Sequence, residues 1–265
     1  MNETGRRRSR IPPLRRGVYI LPNLFTSAGL LSGFYAIIAT LDHRYQTAAR
    51  MILVAQLCDL LDGRIARWTR SSSLFGVEYD SLSDLVAFGV APAILVFEWA
   101  LKPWGRPGWL AVSLYVVCAA IRLARFNVQV SSVEKRHFVG LPTPAAALVI
   151  ASTVLLHFHL GGKDEPNKHL TMLLVIFAVA GLMVSEVRYF SFKEIRLHQR
   201  HPFPVFLGVL LIMYLTVWDY QWMVFLGVTS YALSGPVTLV WRLWRGRGRA
   251  ATASVAPLDK GAPPG

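Results

Sequence analysis

Apolar residues in this chain come in long blocks, not in the half-buried stripes of a soluble helix or the alternation of a strand. About 20 such residues carry a helix across a bilayer. Eight blocks approach that length: about 20–41, 47–68, 81–101, 108–126, 141–160, 169–187, 203–218 and 221–241. The pattern predicts an all-α fold, a polytopic transmembrane helical bundle with short loops. Blocks one, five and six are the clearest spans, while the seventh is short enough to be tilted or re-entrant. Six to eight spans are expected, with eight as the working count. "GLLSG" (Gly29–Gly33) in the first block is a GxxxG, which lets two helix backbones approach closely.

Composition agrees with lipid as the solvent: of 265 residues, 54% are hydrophobic and 16% charged. The net charge of +13 raises nucleic acid as a partner, but the positions of the charges argue against it. With eight spans, the two ends and every second loop hold 22 of the 28 Lys and Arg. Arg44, Arg50, Lys102, Arg106, Lys163 and Lys168 fall on the other side. That asymmetry follows the positive-inside rule and places both termini in the cytoplasm. The Arg-rich ends, "RRRSR" (Arg6–Arg10) and "WRLWRGRGR" (Trp241–Arg249), serve either as topology signals alone or as contacts to anionic head groups. No nucleic-acid module is visible. The chain divides into a basic arm at 1–18, one transmembrane domain at 19–245 and an Ala-, Pro- and Gly-rich tail at 246–265 whose composition predicts disorder. The first apolar block is too long for a signal peptide and reads as a retained helix. Cys58 and Cys118 each lie inside an expected span and form neither a disulfide framework nor a metal-ligand spacing.

One stretch breaks the apolar pattern. "CDLLDGRIARWTRSSSLFGVEYDSLSD", Cys58 to Asp84, carries four aspartates, a glutamate and three arginines. Asp59, Asp62, Gly63 and Ala66 share one helix face, and Asp80 and Asp84 share a face of the next helix. Gly76 is placed in the turn between them. Two helices joined by a short turn are antiparallel neighbours, so the two carboxylate pairs can face one cleft. Asp59 falls roughly 13 Å from its helix end at about 1.5 Å per residue, in the cytoplasmic half of the membrane. An Asp at a helix centre costs roughly 2.5–3.5 kcal/mol to insert, and facing carboxylates repel one another.

Ion pairs with Arg64, Arg67 and Arg70 are one remedy. However, Arg64 points away from the carboxylate face, and Arg67 alone cannot neutralise four acids. Divalent cations with oxygen ligands relieve both burial and repulsion. Gly63 and Ala66 leave room for something bulky, and Arg67 offers a fork of donors suited to phosphate. Carboxylates, paired metals, an arginine and cleared space point to phosphoryl chemistry on a phosphate ester. No Ser–His–Asp or Cys–His set competes. Asn23 and Thr26, at the cytoplasmic end of the first span, are either caps or ligand contacts.

Written as a pattern, Asp59-x2-Asp62-Gly63-x2-Ala66-Arg67-x8-Gly76-x3-Asp80-x3-Asp84 resembles the motif of the CDP-alcohol phosphatidyltransferase family at each of its eight fixed positions. "LPNLFTSAGLLSGFYAII", "DSLSDLVAFGVAPA", "ARFNV" and "FVGLPTPAAA" look like the phosphatidylserine synthase branch of that family. Together these stretches cover most of residues 20–150, and the last hundred residues match only in being hydrophobic.

The resemblance implies transfer of a phosphatidyl group from CDP-diacylglycerol to the hydroxyl of L-serine, with release of CMP. On that pattern Asp59, Asp62, Asp80 and Asp84 would hold two divalent ions, Mg2+ or Mn2+, and Asp84 would also act as the base. Gly63, Ala66, Arg67, Ser73 and Gly76, with Pro22, Asn23 and Thr26, would bind CDP-diacylglycerol. It also implies an enzyme integral to the cell (inner) membrane, among membrane lipids, with its active site facing the cytoplasm, and a homodimer. Arg122 and Arg125 are candidates for the serine carboxylate, against the alternative that they only mark topology. "GLPTP" (Gly140–Pro144) shapes the same pocket or simply gives a rigid helix start. Glycerol 3-phosphate or inositol phosphate as acceptor, and a membrane cation transporter, are the competing readings.

Overall fold

The computed structural model describes residues 20–69, 73–130, 140–162, 170–187, 189 and 219–253. Seven helices run through them: α1 (Ile20–Leu41), α2 (Tyr45–Thr69), α3 (Leu74–Trp104), α4 (Arg106–Val130), α5 (Thr143–His159), α6 (Leu170–Val184) and α7 (Tyr220–Ala253). Among the described residues there is no strand.

α1 and α2 form a tight antiparallel hairpin, the most extensive helix pair among the described residues. The turn is closed by bonds from His43 N to Thr40 O (2.9 Å) and Arg44 N to Ala39 O (2.8 Å), with His43 at φ 59°. The buried faces explain the closeness. α1 turns Gly29, Gly33, Ala36 and Ala39 inward, and α2 turns Ala48, Ala49 and Ala55. Small residues let backbones approach where lipid supplies no hydrophobic drive. Gly33 meets α3 instead. A Cβ there would lie 2.6 Å from Ala87 Cα and 2.8 Å from Ala87 Cβ.

α3 is one rod with two wide π segments, Leu85–Val90 and Phe97–Leu101, and a final 3-10 turn. Pro92 accounts for the first. It lacks an N–H and crowds the carbonyl four residues back, that of Phe88. That freed carbonyl accepts the Tyr115 hydroxyl of α4 at 2.8 Å, so the interruption is satisfied from outside. α4 packs on α6, α5 on both α2 and α7. Tyr45, Ile52, Phe88, Leu95, Tyr115 and Ile150 fill the core, while Leu31, Trp109 and Leu233 stand on outer apolar faces.

Among the described residues, four helical stretches are long and apolar enough to cross a membrane: Ile20–Leu41, Leu74–Trp104, Arg106–Val128 and Tyr220–Leu239. Several expectations change against this frame. The third span begins at Leu74 rather than near 81, because Ser73 caps it, its hydroxyl accepting from Gly76 N at 3.0 Å. Gly76 therefore sits in the first turn of α3, not in the connection. The fifth and sixth spans, read as full-length, are helices of 17 and 15 residues. α5 starts after Gly140, which at φ 85° fits against the Met183 and Ser185 carbonyls, and α5 ends at Gly161, also at φ 85°. α2 is long enough, but its charges keep it out of the apolar set. The seventh span, 203–218, and the arm at 1–18 lie outside the described residues. α7 continues past 245 to Ala253, into the segment read as tail.

Candidate active site

Asp59 and Asp62 project from one face of α2, and Asp80 and Asp84 from one face of α3, beside the wide segment that begins at Leu85. One carboxylate oxygen each from Asp59, Asp62 and Asp80 lies within 4.8 Å of the others. Asp84 stands a helical turn further along α3 and lines the same inner hollow as those three, with Thr26, Gly29, Ala55, Ser83, Ala87 and Phe88. At that separation two unit charges repel by roughly 3–4 kcal/mol even at an effective dielectric of about 20.

The chain itself does little to offset this. Asp62, 5% exposed, accepts from Thr26 Oγ1 at 2.8 Å, and the Thr26 carbonyl accepts from Ser83 Oγ at 3.1 Å. Asp59 accepts from Gln56 Nε2 at 3.3 Å. Among the described residues no basic side chain comes within 4.0 Å of any of the four acids. Asp80 and Asp84 accept no hydrogen bond there either. Ion pairing with Arg64 and Arg67 is thus not the remedy, and Arg70 lies outside the described residues. Arg64 and Arg67 are exposed, and Arg67 Nε is spent on the Gly63 carbonyl at 2.8 Å. Clustered carboxylate oxygens with no ion pair among the described residues are the chemistry that suits hard divalent cations.

A second, larger hollow of about 100 Å³ opens beside the first and shares Asp62, Asp80 and Thr26 with it. Its remaining walls are Pro22, Asn23, Gly63, Ala66, Ser73, Gly76 and Val77. Pro22, Asn23, Thr26, Gly63, Ala66, Ser73 and Gly76, which the motif and the first span had singled out, therefore meet in one groove drawn from three helices. Gly63 has nothing within 4 Å of where a Cβ would stand, so its role there is open space, not helix packing. Gly76 does the opposite. A Cβ would sit 3.1 Å from Ser73 Oγ and 3.4 Å from Asn23 Oδ1, so glycine keeps the cap and Asn23 together. Arg67 does not line the groove.

Thr26 is no cap. α1 begins at Ile20, and the Thr26 hydroxyl is directed to Asp62. Ser83, Gln56 and Val77 were missed in the sequence, since nothing local marks them. Further cross-links brace α3, Ser27 Oγ with Tyr79 OH at 2.8 Å and Asn127 Nδ2 to Ser81 Oγ at 3.0 Å. Of the two candidate acceptor arginines, Arg125 is exposed. Arg122 is half-buried, reaches Thr143 at the start of α5, and lies near Asp84.

The profile of the CDP-alcohol phosphatidyltransferase family matches residues 19–184 of this chain, which hold all four aspartates and both hollows. The chain belongs to the CDP-alcohol phosphatidyltransferase family. It is 37% identical over 183 residues to the CDP-diacylglycerol–serine O-phosphatidyltransferase of Helicobacter pylori, covering 68% of this chain and 75% of that protein. To the enzyme of the same name from Mycobacterium tuberculosis it is 39% identical over 157 residues, 57% of this chain and 54% of the other. To the archaetidylserine synthase of Methanothermobacter thermautotrophicus it is 36% identical over 171 residues, 64% and 69% of the two chains. Divalent metals are general in the CDP-alcohol phosphatidyltransferase family, and the acid cluster is a group of side chains here that could hold them. Helix α7 lies beyond the segment that matches the family.

Proposed function

We propose that this protein makes phosphatidylserine, transferring the phosphatidyl group of CDP-diacylglycerol to the hydroxyl of L-serine. The observation that carries the proposal is the sharing of Asp62 and Asp80 between the acid cluster and the groove of Pro22, Asn23, Gly63, Ala66, Ser73 and Gly76. A diphosphate seated in that groove would present its phosphorus to the carboxylates. The names of the relatives support serine as the acceptor.

Asp59, Asp62, Asp80 and Asp84 would hold two divalent ions, Mg2+ or Mn2+, which when bound neutralise the diphosphate and the developing charge. Thr26 orients Asp62, and Gln56 orients Asp59. Gly63 and Ala66 leave the surface of α2 open for the nucleotide, with Asn23 and Ser73 as polar contacts, and Arg67 would release the Gly63 carbonyl to reach a phosphate. In the transfer, the serine oxygen forms a bond to the phosphorus that carries diacylglycerol. The bond from that phosphorus to the CMP oxygen breaks, and CMP leaves with the electron pair. Asp84 takes the hydroxyl proton. It suits this task because it lines the inner hollow and not the groove, clear of the nucleotide.

The positive-inside asymmetry supports a cytoplasmic active site in the cell's inner membrane, eight spans and cytoplasmic termini. The homodimer, and the basic arm and loose tail around one transmembrane domain, remain part of this proposal on the resemblance and composition alone. Purified protein in detergent, given CDP-diacylglycerol and Mn2+ or Mg2+, should release CMP with serine and not with glycerol 3-phosphate or inositol phosphate. Release with one of the phosphate-bearing acceptors instead would move the enzyme to another branch.

A further inference from the structure

Asp80 and Asp84 accept no hydrogen bond among the described residues, so no neighbouring side chain aims them. Their positions follow from the phase of α3 about its own axis. That phase changes directly after Asp84. Leu85–Val90 is a wide turn, closed by Ala91 N donating to Val86 O, five residues back rather than four. One wide turn carries one residue more than an α turn, about 100° of helix phase. The two halves of α3 therefore face directions that one regular helix would not give. Beyond the turn, Leu95, Val96, Ala100 and Leu101 are fully buried and fix that half in the core. Before it, α3 bears the acids.

Tyr115 of α4 is the outside partner of this turn. Pro92 has no N–H, so the Phe88 carbonyl lacks its helical donor. The fully buried Tyr115 donates its hydroxyl to that carbonyl at 2.8 Å. A backbone donor would tie the turn only to α3, whereas the tyrosine ties it to a second helix. The turn is also gripped at its sides. A Cβ on Gly33 of α1 would lie 2.6 Å from Ala87 Cα, and one on Gly89 would lie 3.4 Å from Ala119 Cβ of α4. The turn belongs to the site as well, because Ala87 and Phe88 line the inner hollow beside Asp80 and Asp84. Tyr115 lines neither hollow.

We propose that Tyr115 is a positioning residue for the acid cluster: by holding the Phe88 carbonyl it keeps the wide turn open, and the turn sets the phase at which Asp80 and Asp84 face Asp59 and Asp62. This deepens the reading above and rests on the four acids holding divalent cations. The hydroxyl takes no part in the chemistry. A backbone N–H at position 92 would satisfy the same carbonyl only by closing the turn into regular helix, which rotates the acids relative to α2. Pro92 excludes that closure, and Tyr115 supplies the donor that the proline removes.

The test reads metal binding and stability separately, in purified protein in detergent. The electron paramagnetic resonance signal of free Mn2+ gives its Kd without turnover, and a thermal melt gives the midpoint. The wild type should bind Mn2+, and Asp80→Asn should weaken that binding. Tyr115→Phe removes one oxygen and leaves the Phe88 carbonyl without its donor. It should lower the midpoint and raise the Mn2+ Kd by about 3- to 30-fold, the range over which packed elements carry coupling to a site. The double variant, Tyr115→Phe with Pro92→Ala, restores an N–H at position 92. Its midpoint should return toward that of the wild type while its Kd stays raised.

A Kd in Tyr115→Phe that stays below about three times the wild-type value overturns the proposal. So does a Kd that recovers together with the midpoint in the double variant, since Tyr115 would then only stabilise the fold. If Tyr115→Phe gives no cooperative melt, the double variant decides alone, and a Kd there below about three times the wild-type value overturns the proposal. A wild type that binds no Mn2+, or an Asp80→Asn variant that binds it as tightly, overturns instead the reading of the acids on which the proposal rests.

Discussion

Replacing Thr26 by valine removes one hydroxyl and almost nothing else. The side chain is 5% exposed, valine fills the same volume, and no cavity results. What is lost is the 2.8 Å bond to Asp62 Oδ2, by which α1 holds a member of the acid cluster, together with a longer 3.2 Å contact of the same hydroxyl to Pro22 O. A hydrogen bond to a charged group contributes about 1.5–3 kcal/mol. Here it fixes the carboxylate whose oxygen lies within 4.8 Å of those of Asp59 and Asp80. Losing a partner that orients a metal ligand typically weakens metal binding about 10- to 100-fold.

The expected outcome for Thr26→Val is therefore a rise of at least about tenfold in the Mn2+ concentration that gives half-maximal rate. The rate at saturating metal should recover most of the wild-type value. The assay is CMP release against free Mn2+, at saturating CDP-diacylglycerol and serine. An unchanged metal midpoint together with a raised KM for CDP-diacylglycerol would refute the reasoning. Thr26 would then act as a nucleotide contact from the groove wall, and its bond to Asp62 would be incidental.

Four further outcomes follow from the same geometry. Asp84→Asn should lower kcat by about 10²- to 10⁴-fold, as for loss of a general base, while KM for CDP-diacylglycerol, bound in the neighbouring groove, stays nearly constant in steady-state assays. Gly63→Leu should leave the thermal midpoint unchanged, since nothing lies within 4 Å of a Cβ there, but raise KM for CDP-diacylglycerol by blocking the groove. Gly33→Ala forces a methyl to 2.6 Å from Ala87 Cα. Overpacking of that kind costs about 1–3 kcal/mol and should appear as a lower thermal midpoint in detergent. Chelation should abolish CMP release and lower the thermal midpoint, with both restored by Mg2+ or Mn2+. At a metal concentration about 100 times Kd, the added stability is about 2.7 kcal/mol.

Much of the site was legible in the chain because its parts are local. Asp59 and Asp62 on one helix face, Asp80 and Asp84 on the next, and the glycine and alanine beside them follow from helical spacing alone. Gly76 shows the limit. Its spacing was right, but its place in the helix depended on Ser73 capping earlier than the apolar block began. Arg67 shows another limit. Its type suits a phosphate, but the fold turns it to the Gly63 carbonyl and outside the groove lining. Block lengths also misled for α5 and α6, whose helices of 17 and 15 residues are shorter than the apolar blocks that hold them.

By itself the sequence determined that the chain is helical and built for lipid, that four acids would be set against each other, and that phosphoryl chemistry was the economical reason. Those conclusions need only period, spacing and charge. Only the tertiary structure decided that Thr26 bonds to Asp62, that α1 closes the groove beside the acids, and that Arg122, not the exposed Arg125, lies near Asp84. Each of these depends on which helix packs against which. That choice is made by small-residue contacts such as Gly33 on Ala87 and by Pro92 freeing a carbonyl for Tyr115, at positions far apart in the chain.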